Sequence, residues 1–386
     1  AVIREKVPFP ETLGSVCTHA CEEECKRNEL GAPLSVCRLK RTAAVQEKGD
    51  WKARVHKEAP SGKKAAVIGA GPAGLTAAYY LAKKGHAVTV FEKNEKAGGQ
   101  CRYGIPAYRL PDHVLDKEIQ TIADIVPFEL KTGAPSPSPE QLKQQGYDSV
   151  LVAVGTHQGT KLPLDGSHLP QVYVNTEFLK QARMQTPLPV GERVIVLGGG
   201  NVAYDCARTA VRLGAKEVHI ACLENEQQMT STPEEIAEGA QEGIILHAAH
   251  SFLRIVGTDH VEGVQLQQVE QFYFDENHKA VITLAEGTEQ IVSADTVIFA
   301  VGQKPEGTSE LGLELTHGPY IQVDDDLKTS MEGVYAAGDV VTGTKSVIAA
   351  IAAGRRAAEQ MDLYLGGDGD ISEQLTEPET PDAYLG

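Results

Sequence analysis

Twice in this chain an apolar run enters a glycine-rich turn, leaves through an alanine-rich helix and returns as a second apolar strand. The first copy follows Lys63 as AAVIGAGPAGLTAAYYLAKKGHAVTVFE, with Gly85 stopping the helix. The second begins at Arg193 as RVIVLGGGNVAYDCARTAVRLGAKEVHIACLE, with Gly214 in the same place. A buried strand, a crossover helix and a second strand can close only as a βαβ unit with parallel strands, because a helix must separate them. Two such units predict an α/β chain with two parallel sheets. At 386 residues there is length for two or three domains of ordinary size.

The turns carry the chemistry. Gly69-Ala-Gly71-Pro72-Ala73-Gly74 follows a strand and opens a helix, the context in which this spacing reads as a Rossmann pyrophosphate site. Gly69 permits the tight turn, Gly71 lets backbone approach phosphate, and Gly74 lets the helix lie close to the sheet. The helix N-terminus then offers N–H groups and partial positive charge to an anion. Glu92 ends the next strand, where a carboxylate can accept both ribose hydroxyls.

The second unit reads Gly198-Gly-Gly200-Asn201-Val202-Ala203, with Ala203 in the third small position. Two sites imply two dinucleotides, one held and one exchanged, since hydride transfer needs a donor and an acceptor face to face. The strand of the second unit ends at Glu224, which would repel a ribose 2′-phosphate and bond a free 2′-hydroxyl. No Arg or Lys lies between Ala221 and Thr232, so NAD(H) is expected over NADP(H). Two further strands, YDSVLVAVGT and ADTVIFAVGQKP, resemble each other and stop at Val-Gly, which adds Gly155 and Gly302 to the cofactor-binding candidates.

Composition excludes several classes. Lys and Arg number 36 against 53 Asp and Glu, a formal charge of −17 that repels a phosphate backbone and argues against nucleic acid. No run of eighteen apolar residues and no secretion signal is present, which predicts no membrane span and a cytoplasmic chain. The first residue is Ala1 rather than Met, so a native chain could extend further upstream.

Residues 1–60 read as a small helical domain, with a helix expected in Leu34 to Gln46 after Pro33. Its cysteines are Cys17, Cys21 and Cys25 at C-x3-C-x3-C spacing, with Cys37 shortly after. On a single helix the first three would advance about 40° per step and share a face. Four thiolates suit either a 4Fe–4S cluster or tetrahedral zinc, and spacing does not choose. A flavin that takes electrons in pairs and releases them singly gives a one-electron relay a use and zinc none.

At this point the residues resemble the FAD- and iron–sulfur-containing flavoproteins that include the glutamate synthase small subunit, the N-terminal part of dihydropyrimidine dehydrogenase and the NAD(P)-binding subunits of electron-bifurcating transhydrogenases. The marks are VCTHACEEEC running into PLSVCRLKR, then GAGPAG, GGQCRYGIPAYRLP, GGGNVAYD and AAGDVVTG, spread from Pro10 to about Met361. The resemblance implies that Gly98, Gly99 and the Gly104-Ile105-Pro106 turn line the flavin, and that Asp339 after Gly338 binds the ribityl or phosphate region of FAD. It further implies that the helix starting near Lys345 and Ser346 aims its N-terminus at the flavin N1–O2 edge. The second βαβ unit, inserted between two halves of the FAD domain, would take the nicotinamide.

The sequence departs from that pattern twice. Leu13 stands where relatives often have a first cysteine, and Lys40 where some place a Gln or Glu ligand, leaving Cys37 as the substitute. Leu223 and Glu224 stand where NADP-using relatives tend to carry two arginines, which strengthens the NAD(H) expectation.

The expected organisation is a helical iron–sulfur domain over 1–60, FAD-binding segments over 61–175 and 306–365, an NAD(P)-binding domain over 176–305, and an acidic C-terminal arm over 366–386. The expected function is an electron-transfer flavoprotein subunit: hydride exchange between NAD(P)H and FAD, with single electrons relayed through the cluster to or from a partner subunit. A self-sufficient reductase of a small acceptor and a non-catalytic scaffold are the competing readings. Cys101 has no CxxC partner, so a disulfide relay is not expected, and Cys206 and Cys222 read as core residues.

Overall fold

A computed structural model of the chain describes residues 1–276, 280–316 and 318–376. It divides into two compact units. One comprises residues 1–102, 107–156 and those from Lys304 onward; the other comprises 103–106 and 157–303. The chain thus leaves the first unit, builds the second and returns.

The first unit starts with helices α1 (Pro10–Val16) and α2 (Val36–Val45), a span close to the helix expected after Pro33. Strand β1 (Lys64–Ile68), helix α3 (Pro72–Lys83) and strand β2 (Ala87–Glu92) form the first βαβ unit, followed by α4 (Asp112–Ile125), β3 (Glu129–Thr132) and β4 (Ser149–Val152). From β1 outward, β2 and β3 lie on one side and β4 on the other, all parallel. The order therefore reverses beside β1, and in such sheets ligands bind at the carboxyl ends where it reverses.

The second unit repeats this arrangement. Its elements are β5 (Val172–Val174), α5 (Asn175–Met184), β6 (Arg193–Leu197), α6 (Asn201–Arg212), β7 (Glu217–Ala221), α7 (Pro233–Gln241) and β8 (Ile245–His247). An antiparallel sheet follows, β9 (His250–Val256), β10 (Gly263–Phe274), β11 (Ala280–Leu284) and β12 (Gln290–Ser293), with β9, β11 and β12 all pairing with β10, and then β13 (Thr296–Phe299). The parallel order is β5-β13-β6-β7-β8, again reversing beside the strand that leads into the glycine turn. Because β5 pairs with β13, residues 157–175 belong to this unit, which begins earlier than the boundary expected at 176.

On its return the chain adds β14 (Val334–Ala336) beside β4 and the long helix α8 (Val347–Leu365), which packs along α3. Contact between the two helices rests on Gly354, where an added Cβ would lie 2.2 Å from the Ala73 carbonyl oxygen. Only glycine allows that approach.

Residues 1–60 are not a body of their own. Val7, Phe9, Leu13, Trp51 and Val55 are buried in the core of the first unit. The buried Glu118 carboxylate on α4 accepts the Glu11 and Thr12 N–H groups at 2.8 and 2.7 Å, capping α1 from outside. Arg4 stacks on Trp51, 4.5 Å from the ring centroid, and donates to both Glu47 oxygens at 2.7 Å.

The expected C-terminal arm departs in the same way. Ile371 and Leu375 are each 1% exposed, and Glu373 accepts from the Tyr79 hydroxyl at 2.8 Å. Two apolar residues spaced four apart in an acidic segment gave no periodic signal, yet they suffice to seat it. The remainder of that arm, 377–386, lies outside the described residues.

Candidate functional site: two glycine cradles and a cysteine segment

The first cradle assembles at the carboxyl end of β1. Gly69 has φ of +105°, and a Cβ there would meet the Ala153 carbonyl oxygen at 2.4 Å. A Cβ on Gly74 would fall 2.0 Å from the Gly69 carbonyl oxygen, so α3 rests directly on the turn. Gly71, by contrast, faces space: the nearest heavy atom to its Cβ position is the Gly99 Cα at 3.7 Å. No side chain caps α3, whose first residue is Pro72. An uncapped N-terminus behind an open glycine is what close approach of a pyrophosphate requires.

Three other segments converge there. Gly98 donates its N–H to Ala70 O at 2.8 Å, and Gly99, at φ +53°, closes over Gly71. Gly338, at φ +80°, faces the Ala73 methyl, 3.1 Å from its Cβ position. Asp339 beside it is largely buried, and burial pushes its carboxyl up to about 6, opposed by the Lys345 N–H, which reaches Oδ1 at 3.3 Å. Ser346 caps α8, its Oγ accepting the Ala349 N–H. Gly155 is at φ +66°.

Glu92 is engaged more fully than its expected ribose role requires. Its Oε2 accepts the Ala70 N–H at 3.0 Å, and Oε1 accepts from the Asn94 N–H and side-chain amide at 2.9 and 2.7 Å. A carboxylate has about four acceptor positions, so these bonds fix the turn and leave capacity beside it. Thr156, Thr344 and Gln100 belong here and went unread in the sequence. The two threonine hydroxyls meet at 2.9 Å, and Gln100 Nε2 donates to Thr156 O at 2.7 Å. Nothing in their spacing signals the meeting of chain segments so far apart. Gly104 and Ile105 group with the second unit.

The second cradle copies the first. Gly198 has φ of +133° and its Cβ would meet the Ala300 carbonyl oxygen at 2.3 Å, as Gly69 meets Ala153. Gly200 starts an uncapped α6, with Ala203 fully buried behind it and Val202 partly so. Glu224 comes to this turn, its Oε2 lying 3.2 Å from the Cβ position of Gly199. Gly302, at φ +111°, has only Thr160 Oγ1 near, at 3.9 Å. The sequence did not signal the role of Ser231 and Thr232. Ser231 donates its hydroxyl to Gly199 O at 2.9 Å, and the Thr232 N–H reaches Asn201 Oδ1 at 2.8 Å. Cys206 and Cys222 are buried, and burial pushes the Cys222 thiol up to about 12.

The cysteines are not on one helix. Cys17 ends α1 in extended backbone, His19 takes the left-handed conformation at φ 42°, Cys21 sits in the short helix Ala20–Glu23, and Cys25 precedes a separate turn. The left-handed residue breaks the expected common face. The Cys37 sulfur, on α2, lies 3.4 Å from Gly14 O and 4.0 Å from Cys17 O, and burial pushes its thiol up. Backbone N–H groups of Leu34 and Arg27 pull the Cys25 thiol down. Among the described residues no group of three or more His, Cys, Asp or Glu side chains is placed to hold a metal ion. As they stand, the four cysteines do not form a metal cage. No two cysteines among the described residues form a disulfide, and no helix there is long and apolar enough to cross a membrane.

Paired cradles of this kind define a two-dinucleotide oxidoreductase, and residues 63–354 match the pyridine nucleotide-disulphide oxidoreductase family. The chain belongs to that family and, within it, to the group that includes the glutamate synthase small chains. It is 35% identical to the beta subunit of NADP(+)-dependent formate dehydrogenase from Moorella thermoacetica, over 95% of this chain and 56% of that one. It is 31% identical to the NADPH glutamate synthase small chain of Escherichia coli, over 92% of this chain and 81% of that one. The chain thus spans little more than half of the formate dehydrogenase subunit. Among solved structures, Mycobacterium tuberculosis FprA in complex with NADPH shares the fold with a TM-score of 0.68 at 19% identity, over 79% of this chain and 85% of that one.

Proposed function

We propose that this chain is the NADH-oxidising subunit of a larger electron-transfer assembly, with FAD resident in the first cradle and NAD(H) exchanging at the second. The observation that carries this reading is the duplicated cradle: two open glycine turns, each at the reversal point of its own parallel sheet. FAD, when bound, accepts a hydride from the nicotinamide and can give its electrons up singly.

The residues' part is to bind and orient. The uncapped starts of α3 and α6 face the two pyrophosphates, Gly71 and Gly99 let backbone approach, Glu92 holds the first turn, and Asp339 with Ser346 lines the far side of the flavin cradle. Glu224 selects the coenzyme. It stands at the second turn with no cation between Ala221 and Thr232, which favours a free 2′-hydroxyl, although the relatives named above are named for NADP(+) or NADPH.

The names of the relatives, a beta subunit and a small chain, support a protein partner. A single 4Fe–4S cluster on Cys17, Cys21, Cys25 and Cys37 is supported by four thiols within one segment and opposed by their present placement. The hydride exchange needs nothing from it.

Anaerobic titration of the flavin-loaded protein with each coenzyme tests the reading. NADH is expected to bleach the flavin band at concentrations at which NADPH does not, and Leu223→Arg with Glu224→Arg should move the preference at least tenfold toward NADPH. Bleaching by NADPH alone would overturn the coenzyme assignment, and bleaching by neither would overturn the function.

A further inference from the structure

Three side chains at the amino end of the first sheet form a hydrogen-bonded line that neither cradle uses. Ser61 lies just before β1 and His86 just before β2, so both stand at the end of the sheet opposite the glycine turns. Asp362 comes from the last turn of α8. Ser61 Oγ and His86 Nδ1 are 2.8 Å apart, and His86 Nε2 and Asp362 Oδ1 are also 2.8 Å apart. The bonded partners are 25 and 276 positions apart in the chain, so no motif announces them.

Burial is graded along the line. Asp362 is 1% exposed and His86 5% exposed, while Ser61 is open to solvent. The Asp362 carboxylate only accepts: Oδ2 takes the Gly369 N–H at 2.9 Å with the Lys84 ammonium 3.8 Å away, and Oδ1 faces His86. His86 therefore carries its proton on Nε2, and Nδ1 is left as the acceptor for the Ser61 hydroxyl. A nucleophile within hydrogen-bond reach of a base, with the base oriented by a third group, is the arrangement that activates serine in acyl transfer.

The surroundings of the hydroxyl fit attack. The Lys63 N–H donates to Ser61 Oγ at 3.1 Å and stands beside the position where an attacked carbonyl oxygen would gain charge. Gly62, between the two, is at φ +75° with nothing within 4 Å of its Cβ position, so the turn is open to a small molecule. The other acceptor for the hydroxyl proton, Gly85 O, is further off at 3.2 Å.

We propose that Ser61, His86 and Asp362 form a nucleophilic site, separate from both cradles, which takes the acyl group of small activated esters onto Ser61 Oγ. In that step the bond from Oγ to the acyl carbon forms and the ester carbon–oxygen bond breaks. The Ser61 proton passes to His86 Nδ1 and from there to the departing alkoxide, while Asp362 holds the imidazole without taking the proton. Nothing is oxidised or reduced, so the site needs neither flavin nor nicotinamide.

A fluorophosphonate, whose phosphorus bonds to an activated serine with loss of fluoride, tests the nucleophile on the intact chain. Peptide mapping is expected to find the label on Ser61 of the native protein and not of protein unfolded in urea. With thiols blocked, p-nitrophenyl acetate should acetylate the same residue, and His86→Gln should slow both reactions about a hundredfold. Selective nitrogen-15 labelling of histidine should show His86 in the Nε2–H form; Asp362→Asn should shift that signal and slow the labelling, and Asp362→Glu should restore both in part. Melting temperatures establish that each variant folds, and where one does not, the comparison of native with urea-unfolded wild type decides. The site is overturned if Ser61 stays unlabelled, if it reacts equally fast in urea, or if a folded His86→Gln reacts as fast as the wild type. Labelling without acetylation overturns the acyl assignment, and an unmoved His86 signal in a folded Asp362→Asn overturns the positioning role of Asp362.

Discussion

Asp339 carries a stability cost in the first cradle. Burial raises its carboxyl to about 6, so the folded chain holds a proton that the unfolded chain releases near its ordinary 3.8. The associated stability is complete below the unfolded value and is lost as pH rises through about 6, on the order of 3 kcal/mol by neutrality. Asp339→Asn should therefore raise the melting temperature of the flavin-free protein at pH 7 by several degrees and flatten its slope between pH 4 and 7, while weakening FAD retention; thermal melts and flavin release check the two halves. His247 runs the other way. Burial pushes it down to about 4, with His219 at 2.9 Å and His250 adding to the effect. The stability it supports is present above its ordinary 6.5 and is lost as pH falls toward 4. Melts of His247→Gln are expected to be less sensitive to acid across that window. At this scale the glycines were legible, because a turn at φ +105° or +133° excludes other residues and leaves a mark in the sequence. The hydroxyls of Thr156, Thr344 and Ser231 were not, because a hydroxyl residue in a loop looks the same whether or not a distant segment arrives beside it.

Among the elements, α8 sets the position of α3. The close pass at Gly354 presses against Ala73, one residue from the start of the helix that opens the first glycine cradle. Gly354→Ala forces the helices apart at that point and is expected to destabilise the first unit by about 1–3 kcal/mol. FAD affinity should fall more than NADH affinity, a split that parallel titrations would display. The βαβ elements were readable from hydrophobic period alone, and α2 from its helix formers after Pro33. The break between Cys17 and Cys21 was not, since a left-handed His19 has no signature of the kind glycine leaves. Spacing that would align three cysteines on an ideal helix therefore distributes them over three short pieces.

Across the whole molecule, repeated sheets and the insertion of one unit between the halves of the other could be inferred from the order of motifs. The integration of both termini could not. Glu5 Oε1 accepts the Leu375 and Thr376 N–H groups at 2.8 and 3.2 Å, and Arg54 donates to Leu375 O at 3.1 Å. These bonds depend on backbone position rather than residue type, so composition marks the segment as a loose acidic end. Deleting everything after Gly366 is expected to lower the melting temperature of the first unit and to speed proteolysis within residues 1–60, read by mass spectrometry of the first fragments. Equal cleavage rates in the full and shortened chains would show that the contact contributes nothing.

That contact joins groups 370 residues apart, and it orders events during synthesis. A ribosome adding about 5–20 residues per second delivers the whole second unit before β14, α8 or the segment around Leu375 exists. The first unit's opening helices, with their apolar face and four thiols, must then wait for the segment around Leu375 before their last partners emerge. Any factor that shelters those thiols in the cell acts on that waiting chain, and its window closes when that segment emerges.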